Sequence, residues 1–179
     1  MVSVPHFIAD DFLPEAMHQG LLLHTLNVDD FAVGKVVAGG KTDYLFDQRK
    51  GKISNDRLGP YLADFKTALR TSFGDICRAT GVAQFDLAEI EIRLAAHSDG
   101  DFFSPHRDSF TGADRAQTRG DLHIHPFDSS APVVIEPCNN RLVAFPSFML
   151  HEVLPVVVPS GNFADSRFSV SCWFDRARG

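Results

Sequence analysis

The chain has 179 residues, enough for one domain with a substantial core, and its 44% hydrophobic and 22% charged residues are ordinary for a globular protein. A formal net charge of -6 without any Lys/Arg cluster argues against a nucleic-acid partner. No apolar run approaches the roughly 20 residues that span a bilayer, and "MVSVPHFIADDF" lacks the basic and apolar regions of a secretory signal.

Taken in chain order, "VPHFIADDFL" reads as a short strand leading into a turn. Pro14 then opens a helix to about Leu26, a position where its missing N–H costs nothing. "FAVGKVVAGG" alternates loosely and ends in a glycine pair, as a strand and turn would. From Pro60 to Thr80 the pattern is helical. Leu62, Phe65, Leu69, Phe73 and Ile76 recur at three- and four-residue steps, and Gly81 supplies the stop. Beyond that point "AEIEIRLAAHS", "DLHIHPF", "PVVIEP", "RLVAFP", "HEVLPVVV" and "RFSVSCWF" are short, β-rich and separated by turn residues. Helices followed by strands predict a mainly β, α+β domain with helices packed on one side. The expected division is a helical support region over 1–85 and a β core over 86–176, within one domain over 1–179.

Cys77, Cys138 and Cys172 are odd in number and far apart, so they form no disulfide framework. A reducing, cytoplasmic compartment is the expectation. Sixteen phenylalanines against two tyrosines predict a phenylalanine-rich interior, with Phe102 and Phe103 as pocket wall or core and Trp173 as core.

The chemistry concentrates in "GDFFSPHRDSF". His106 and Asp108 stand two apart, and in a strand such residues point the same way. His151, 45 residues further on in "PSFMLHEVLPVVV", is the candidate third ligand. Two imidazoles and a carboxylate that leave positions open are the pattern of non-haem Fe(II) oxygenases; the spacing suits zinc less well. In "RFSVSCWF", alternation puts Arg167 and Ser169 on one face, where an arginine fork beside a hydroxyl can grip a carboxylate. A rival metal site is the HxH pair His123 and His125, arranged as in a cupin. The bland alternatives are a loop His–Asp pair and a rim arginine bound to Asp165 or Glu152.

Four ordered pieces, "LAAHSDGDFFSPHRDS", "GDLHIH", "RLVAFPSFMLHEVLPV" and "RFSVSCWF", resemble the 2-oxoglutarate- and Fe(II)-dependent oxygenases of the prolyl 4-hydroxylase-like group. They cover about residues 88–175. The resemblance implies a double-stranded β-helix, or jelly roll, with supporting N-terminal helices. It implies that His106, Asp108 and His151 bind Fe(II), and that Arg167 binds the distal carboxylate of 2-oxoglutarate. Ser169 is a further candidate contact of the co-substrate. So is His97, which stands where relatives often carry a tyrosine.

The implied activity consumes dioxygen and 2-oxoglutarate, releases succinate and carbon dioxide, and hydroxylates a peptidyl proline or another C–H substrate. That substrate is a peptide, a protein or a small molecule, and ascorbate is the expected reductant. A carboxylate at Asp108 argues for hydroxylation, because related halogenases need that position vacant. A cupin-like enzyme built on His123 and His125, and a non-catalytic jelly-roll binding module, are the alternatives. One departure concerns "GADRAQTRGDLHIH", where Arg119 runs directly into Gly120. Relatives place a hydrophobic core strand there; either the protein has lost that strand or the sequence given leaves a stretch out, and the expectation is the latter.

Overall fold

Apolar spacing after Pro60 dictates the longer helix. In the computed structural model, which describes residues 4–38, 41–43, 46–108, 114–116, 121–128 and 130–177, it buries Phe65, Leu69, Phe73, Ile76 and Cys77 on one face. The helix starts at Leu62 rather than Pro60, because the chain enters through a 3-10 turn over Gly59–Tyr61. It ends where Gly81 adopts the left-handed conformation (φ 70°) and donates its N–H to the Cys77 carbonyl.

In chain order the elements are β1 (Phe7–Ala9), α1 (Glu15–Leu26), β2 (Ala32–Val33), β3 (Val36–Ala38), β4 (Lys41–Asp43), β5 (Arg49–Lys50), β6 (Lys52–Ser54) and α2 (Leu62–Thr80). They continue with β7 (Leu87–His97), β8 (Phe102–His106), β9 (Asp114–Ala116), β10 (Leu122–His125), β11 (Val133–Ile135), β12 (Leu142–Phe145), β13 (Leu150–Val153) and β14 (Arg167–Arg176). The largest sheet runs β1-β12-β9-β14-β7-β6-β2, a second β11-β10-β13-β8-β5, and β3 pairs with β4 in a two-stranded third. Every pairing in them is antiparallel. This is the expected double-stranded β-helix.

Alternation along β7 and β14 turns one face of the larger sheet toward the helices. Ile90, Ile92, Leu94, Cys172 and Phe174 face the helices, where Phe73 stacks on Phe174 at 5.3 Å. Each fully buried side chain of this size contributes about 1.5–3 kcal/mol. Ile124, Leu122, Val143, Phe145 and Met149 form the second core. The opposite residues of β7 and β14 are left to build the site.

The first 85 residues are more than a helical support. They supply β1, β2 and β6 to the larger sheet and β5 to the smaller. These strands cover edges whose backbone groups would otherwise lie unpaired. β9 stands between β12 and β14, but pairs with only Cys172–Phe174 of the longer strand. The Arg119–Gly120 junction lies outside the described residues.

Candidate active site

His106 and His151 are cross-strand partners on β8 and β13, so their imidazoles share one face. Their ring centroids are 4.2 Å apart. Asp108 lies two residues past His106, beyond the end of β8 rather than on the strand itself, and its N–H bonds the Ser147 carbonyl. Its carboxylate still turns to the same point. His106 Nε2 lies 3.5 Å from Asp108 Oδ1, and His151 Nε2 lies 3.8 Å from Oδ2. Donors held about 2.1 Å from one ion at right angles stand roughly 3 Å apart, so a small contraction would close the site.

The tautomers are set from behind. His106 Nδ1 donates to the Ser104 carbonyl at 2.8 Å, and His151 Nδ1 to the Met149 carbonyl at 3.0 Å. Each Nε2 is then a lone-pair acceptor. Both are buried without a hydrogen-bond partner among the described residues. Burial, followed by the neighbouring His106, holds the His151 pKa down to about 4, so its ring stays neutral, as a ligand must. Two orphaned imidazole acceptors facing a carboxylate fit an Fe(II) ion. Among the described residues these three form the one gathered group of potential ligands.

Neighbouring side chains fix this triad. Phe103 stacks on the His106 ring at 3.5 Å, and Trp173 donates its indole N–H to Asp108 Oδ2 at 3.4 Å. Neither role is visible in a strand pattern. Trp173 is buried, as expected of a core residue, but its N–H is directed at a candidate ligand.

On the facing sheet, Arg167 pairs with His97 and Ser169 with Ala95, which places Arg167, Ser169 and His97 on one face. All three are buried. Arg167 Nη1 donates to His97 Nδ1 at 3.1 Å. Burial, then the Arg167 and Arg49 charges, push the His97 pKa down to about 3, keeping the ring a neutral acceptor. Gly51 permits this packing, since a Cβ there would sit 2.9 Å from His97 Cδ2. The rival partners of Arg167 are engaged elsewhere. Asp165 accepts from Ser160 at 2.6 Å, and Glu152 lies 2.9 Å from His125 Nε2.

His123 and His125 do not join the triad. Leu122 and Ile124 point into the core, so alternation turns both histidines to the other face of β10. Their rings stand 6.3 Å apart, gathered around Glu152 from β13. A separate cavity of about 320 Å³ lies between α1, Phe65 and β14; it reaches Arg167 and Ser169 but none of the triad.

A second buried arginine, Arg49, escaped the sequence reading because β5 is too short to show a period. Its guanidinium lies over Phe103 at 4.8 Å.

The family model for the 2OG-Fe(II) oxygenase superfamily matches residues 92–175, which include every residue of the triad and Arg167. Over those residues the chain is similar to the 2OG-Fe(II) oxygenase superfamily. A curated relative, an uncharacterised PKHD-type hydroxylase of Synechocystis sp., is 32% identical over 112 residues. That match takes in 50% of this chain and spans only 37% of the relative's length.

Among solved structures, the chain is similar to a Trichoplax adhaerens prolyl hydroxylase in complex with a hypoxia inducible factor oxygen degradation domain peptide fragment. The TM-score is 0.76 at 18% identity, over 96% of this chain and 84% of that one. A Pseudomonas putida prolyl-4-hydroxylase gives a TM-score of 0.72 at 19% identity, over 98% and 94%. At such identities the likeness is one of fold.

Proposed function

We propose that the protein is an Fe(II)- and 2-oxoglutarate-dependent dioxygenase that hydroxylates a C–H bond, with a peptidyl proline as the first substrate to test. The observation that carries this reading is the pair of buried Nε2 acceptors, on His106 and His151, facing the Asp108 carboxylate.

His106, His151 and Asp108 would hold the metal, leaving the side opposite them for ligands. Fe(II) and 2-oxoglutarate, when bound, supply dioxygen activation, with release of succinate and carbon dioxide. The Ser104 and Met149 carbonyls fix each ring's orientation, and Trp173 fixes the carboxylate. Arg167 would grip the distal carboxylate of 2-oxoglutarate, with Ser169 beside it. His97 contributes by accepting an Arg167 N–H and so aiming the guanidinium, a positioning role that needs the neutral ring found here. Asp108 occupies the carboxylate position, which favours hydroxylation over halogenation.

Ascorbate as the reductant and a cytoplasmic location complete the proposal. Cys77, Cys138 and Cys172 are all free thiols, which suits a reducing compartment. The test is succinate release by Fe(II)-loaded protein against proline-containing peptides and small metabolites, with and without 2-oxoglutarate and with and without ascorbate. Turnover that ignores 2-oxoglutarate would refute the reading and favour a cupin-like chemistry; metal and co-substrate binding without turnover on any substrate would favour a binding module.

A further inference from the structure

We propose that Arg49 is a specificity-determining residue that receives a carboxylate of the prime substrate. The inference rests on the oxygenase reading above, in which Arg167 serves the co-substrate.

Arg49 reaches inward from β5, paired to Phe103 on β8. Only 8% of it is exposed. Its guanidinium lies over the Phe103 ring, and the same ring stacks on His106, so Phe103 touches both the cation and an imidazole of the triad. The backbone makes room for the cation. A Cβ on Gly34 would lie 3.0 Å from Arg49 Nε, and Gly34 is held there by donating its N–H to the Gly51 carbonyl.

Within this cradle, Arg49 Nε has no hydrogen-bond partner, and no carboxylate of the described residues forms an ion pair with the guanidinium. The charges it feels are Arg93, which repels it, and Asp108, which attracts it from beyond contact distance. Burial and Arg93 together hold its pKa down to about 10, the mark of a cation kept out of water without a counter-ion. Such a group costs stability unless an anion completes it.

The co-substrate does not supply that anion. On the oxygenase reading, one carboxylate of 2-oxoglutarate would be held by Arg167 and the other would lie at the metal. The substrate to be oxidised is the remaining ligand. A planar guanidinium matches a carboxylate through two parallel N–H bonds. That carboxylate can be the α-carboxylate of a free amino acid or an acidic side chain in a peptide.

Three probes separate these sources: L-proline, the capped neutral peptide acetyl-Ala-Pro-Ala-amide, and acetyl-Glu-Pro-Ala-amide. Binding is measured calorimetrically on protein loaded with Mn(II) and 2-oxoglutarate, and again on metal-free protein. At least one carboxylate probe should bind wild type about tenfold or more tightly than the neutral peptide, the strength of one good charge-assisted bond. Arg49→Gln should erase that preference and leave the neutral peptide unchanged; Arg49→Lys should keep part of it. Preference for L-proline assigns a free amino acid, and preference for the glutamyl peptide an acidic segment. Equal binding of all probes by wild type, or a preference that survives Arg49→Gln, overturns the proposal.

A control distinguishes the two arginines. Arg49→Gln should leave the anaerobic titration of Fe(II)-loaded protein with 2-oxoglutarate unaltered; weakening there would make Arg49 a co-substrate residue and overturn the assignment. Absence of any 2-oxoglutarate response in wild type would instead sink the oxygenase reading, while the metal-free titrations still decide whether Arg49 selects carboxylates. Melting curves verify folding, and Arg49→Lys carries the test if the glutamine variant unfolds.

Discussion

Trp173 donates its indole N–H to Asp108 across 3.4 Å, tying the one carboxylate of the triad to the larger sheet while both histidines belong to the smaller. The candidate metal site therefore bridges the two layers of the jelly roll. Its geometry depends on their packing as well as on the ligands.

The first prediction follows from that bond. Trp173→Phe keeps an aromatic ring in the core but leaves Asp108 without this donor. Losing a partner behind a ligand typically weakens metal affinity by about 10–100-fold. Mn(II) affinity, read by calorimetry, should fall in that range while the circular dichroism spectrum stays that of wild type. Unchanged affinity would mean the indole serves packing alone.

The second prediction separates the two histidine clusters. Asp108→Ala removes a ligand outright, so its loss of Mn(II) affinity should exceed the 10–100-fold expected for Trp173→Phe. His123→Ala and His125→Ala act on the opposite face of β10, around Glu152, and should bind metal like wild type. Loss of the high-affinity site in either histidine variant would restore the cupin-like arrangement as the working site.

Strong periodicity and spaced polar residues account for what the sequence reveals of this molecule. α2 is legible because Phe65, Leu69, Phe73 and Ile76 repeat on one face and Gly81 ends it. Arg167 and Ser169 are legible as a pair because β14 is long and alternates. In residues 30–55 the strand character of "FAVGKVVAGG" is legible, as β2 and β3, but β5 and β6 are not, since they are two and three residues long. Their existence depends on the edges they cover, a tertiary fact. Arg49 is hidden for the same reason. Glu152 escapes notice as the partner of His123 and His125 because it arrives from a neighbouring strand, by register rather than by spacing.

The third prediction concerns pH. In the folded protein His97 has its pKa lowered from the ordinary 6.5 to about 3, first by burial and then by Arg167 and Arg49. Between those values the unfolded chain carries a proton that the folded one refuses. Stability is therefore intact above about pH 6.5 and falls as pH drops, by about 1.4 kcal/mol per unit from this group. His151, lowered to about 4, adds a loss of the same sign in metal-free protein. Urea unfolding of metal-free wild type and His97→Gln at pH 6.5 and pH 5 isolates the first contribution. The wild type should lose about 1.6 kcal/mol more than the variant over that interval. Equal losses would show that His97 is protonated in the fold.

The fourth prediction tests the co-substrate anchor. Arg167 is 9% exposed, paired across the sheet with His97 and one alternation from Ser169. A 2-oxoglutarate carboxylate there would be largely desolvated, so the charge-assisted pair is strong and its loss strands an anion. Breaking such a buried pair typically costs about 3–5 kcal/mol. With about 1.4 kcal/mol per factor of ten, Arg167→Ala should weaken 2-oxoglutarate binding by roughly two to three orders of magnitude. Mn(II) affinity should change little, because the ligands come from β8, β13 and the turn at Asp108. Arg167→Lys should recover only part of the loss, since an ammonium cannot form two parallel bonds. Anaerobic titration of Fe(II)-loaded protein reads this through the visible charge-transfer band that marks 2-oxoglutarate on Fe(II) in 2OG-Fe(II) oxygenases. If Arg167→Ala and wild type titrate alike, the distal carboxylate is held elsewhere, and Arg49 becomes the residue to examine for that role.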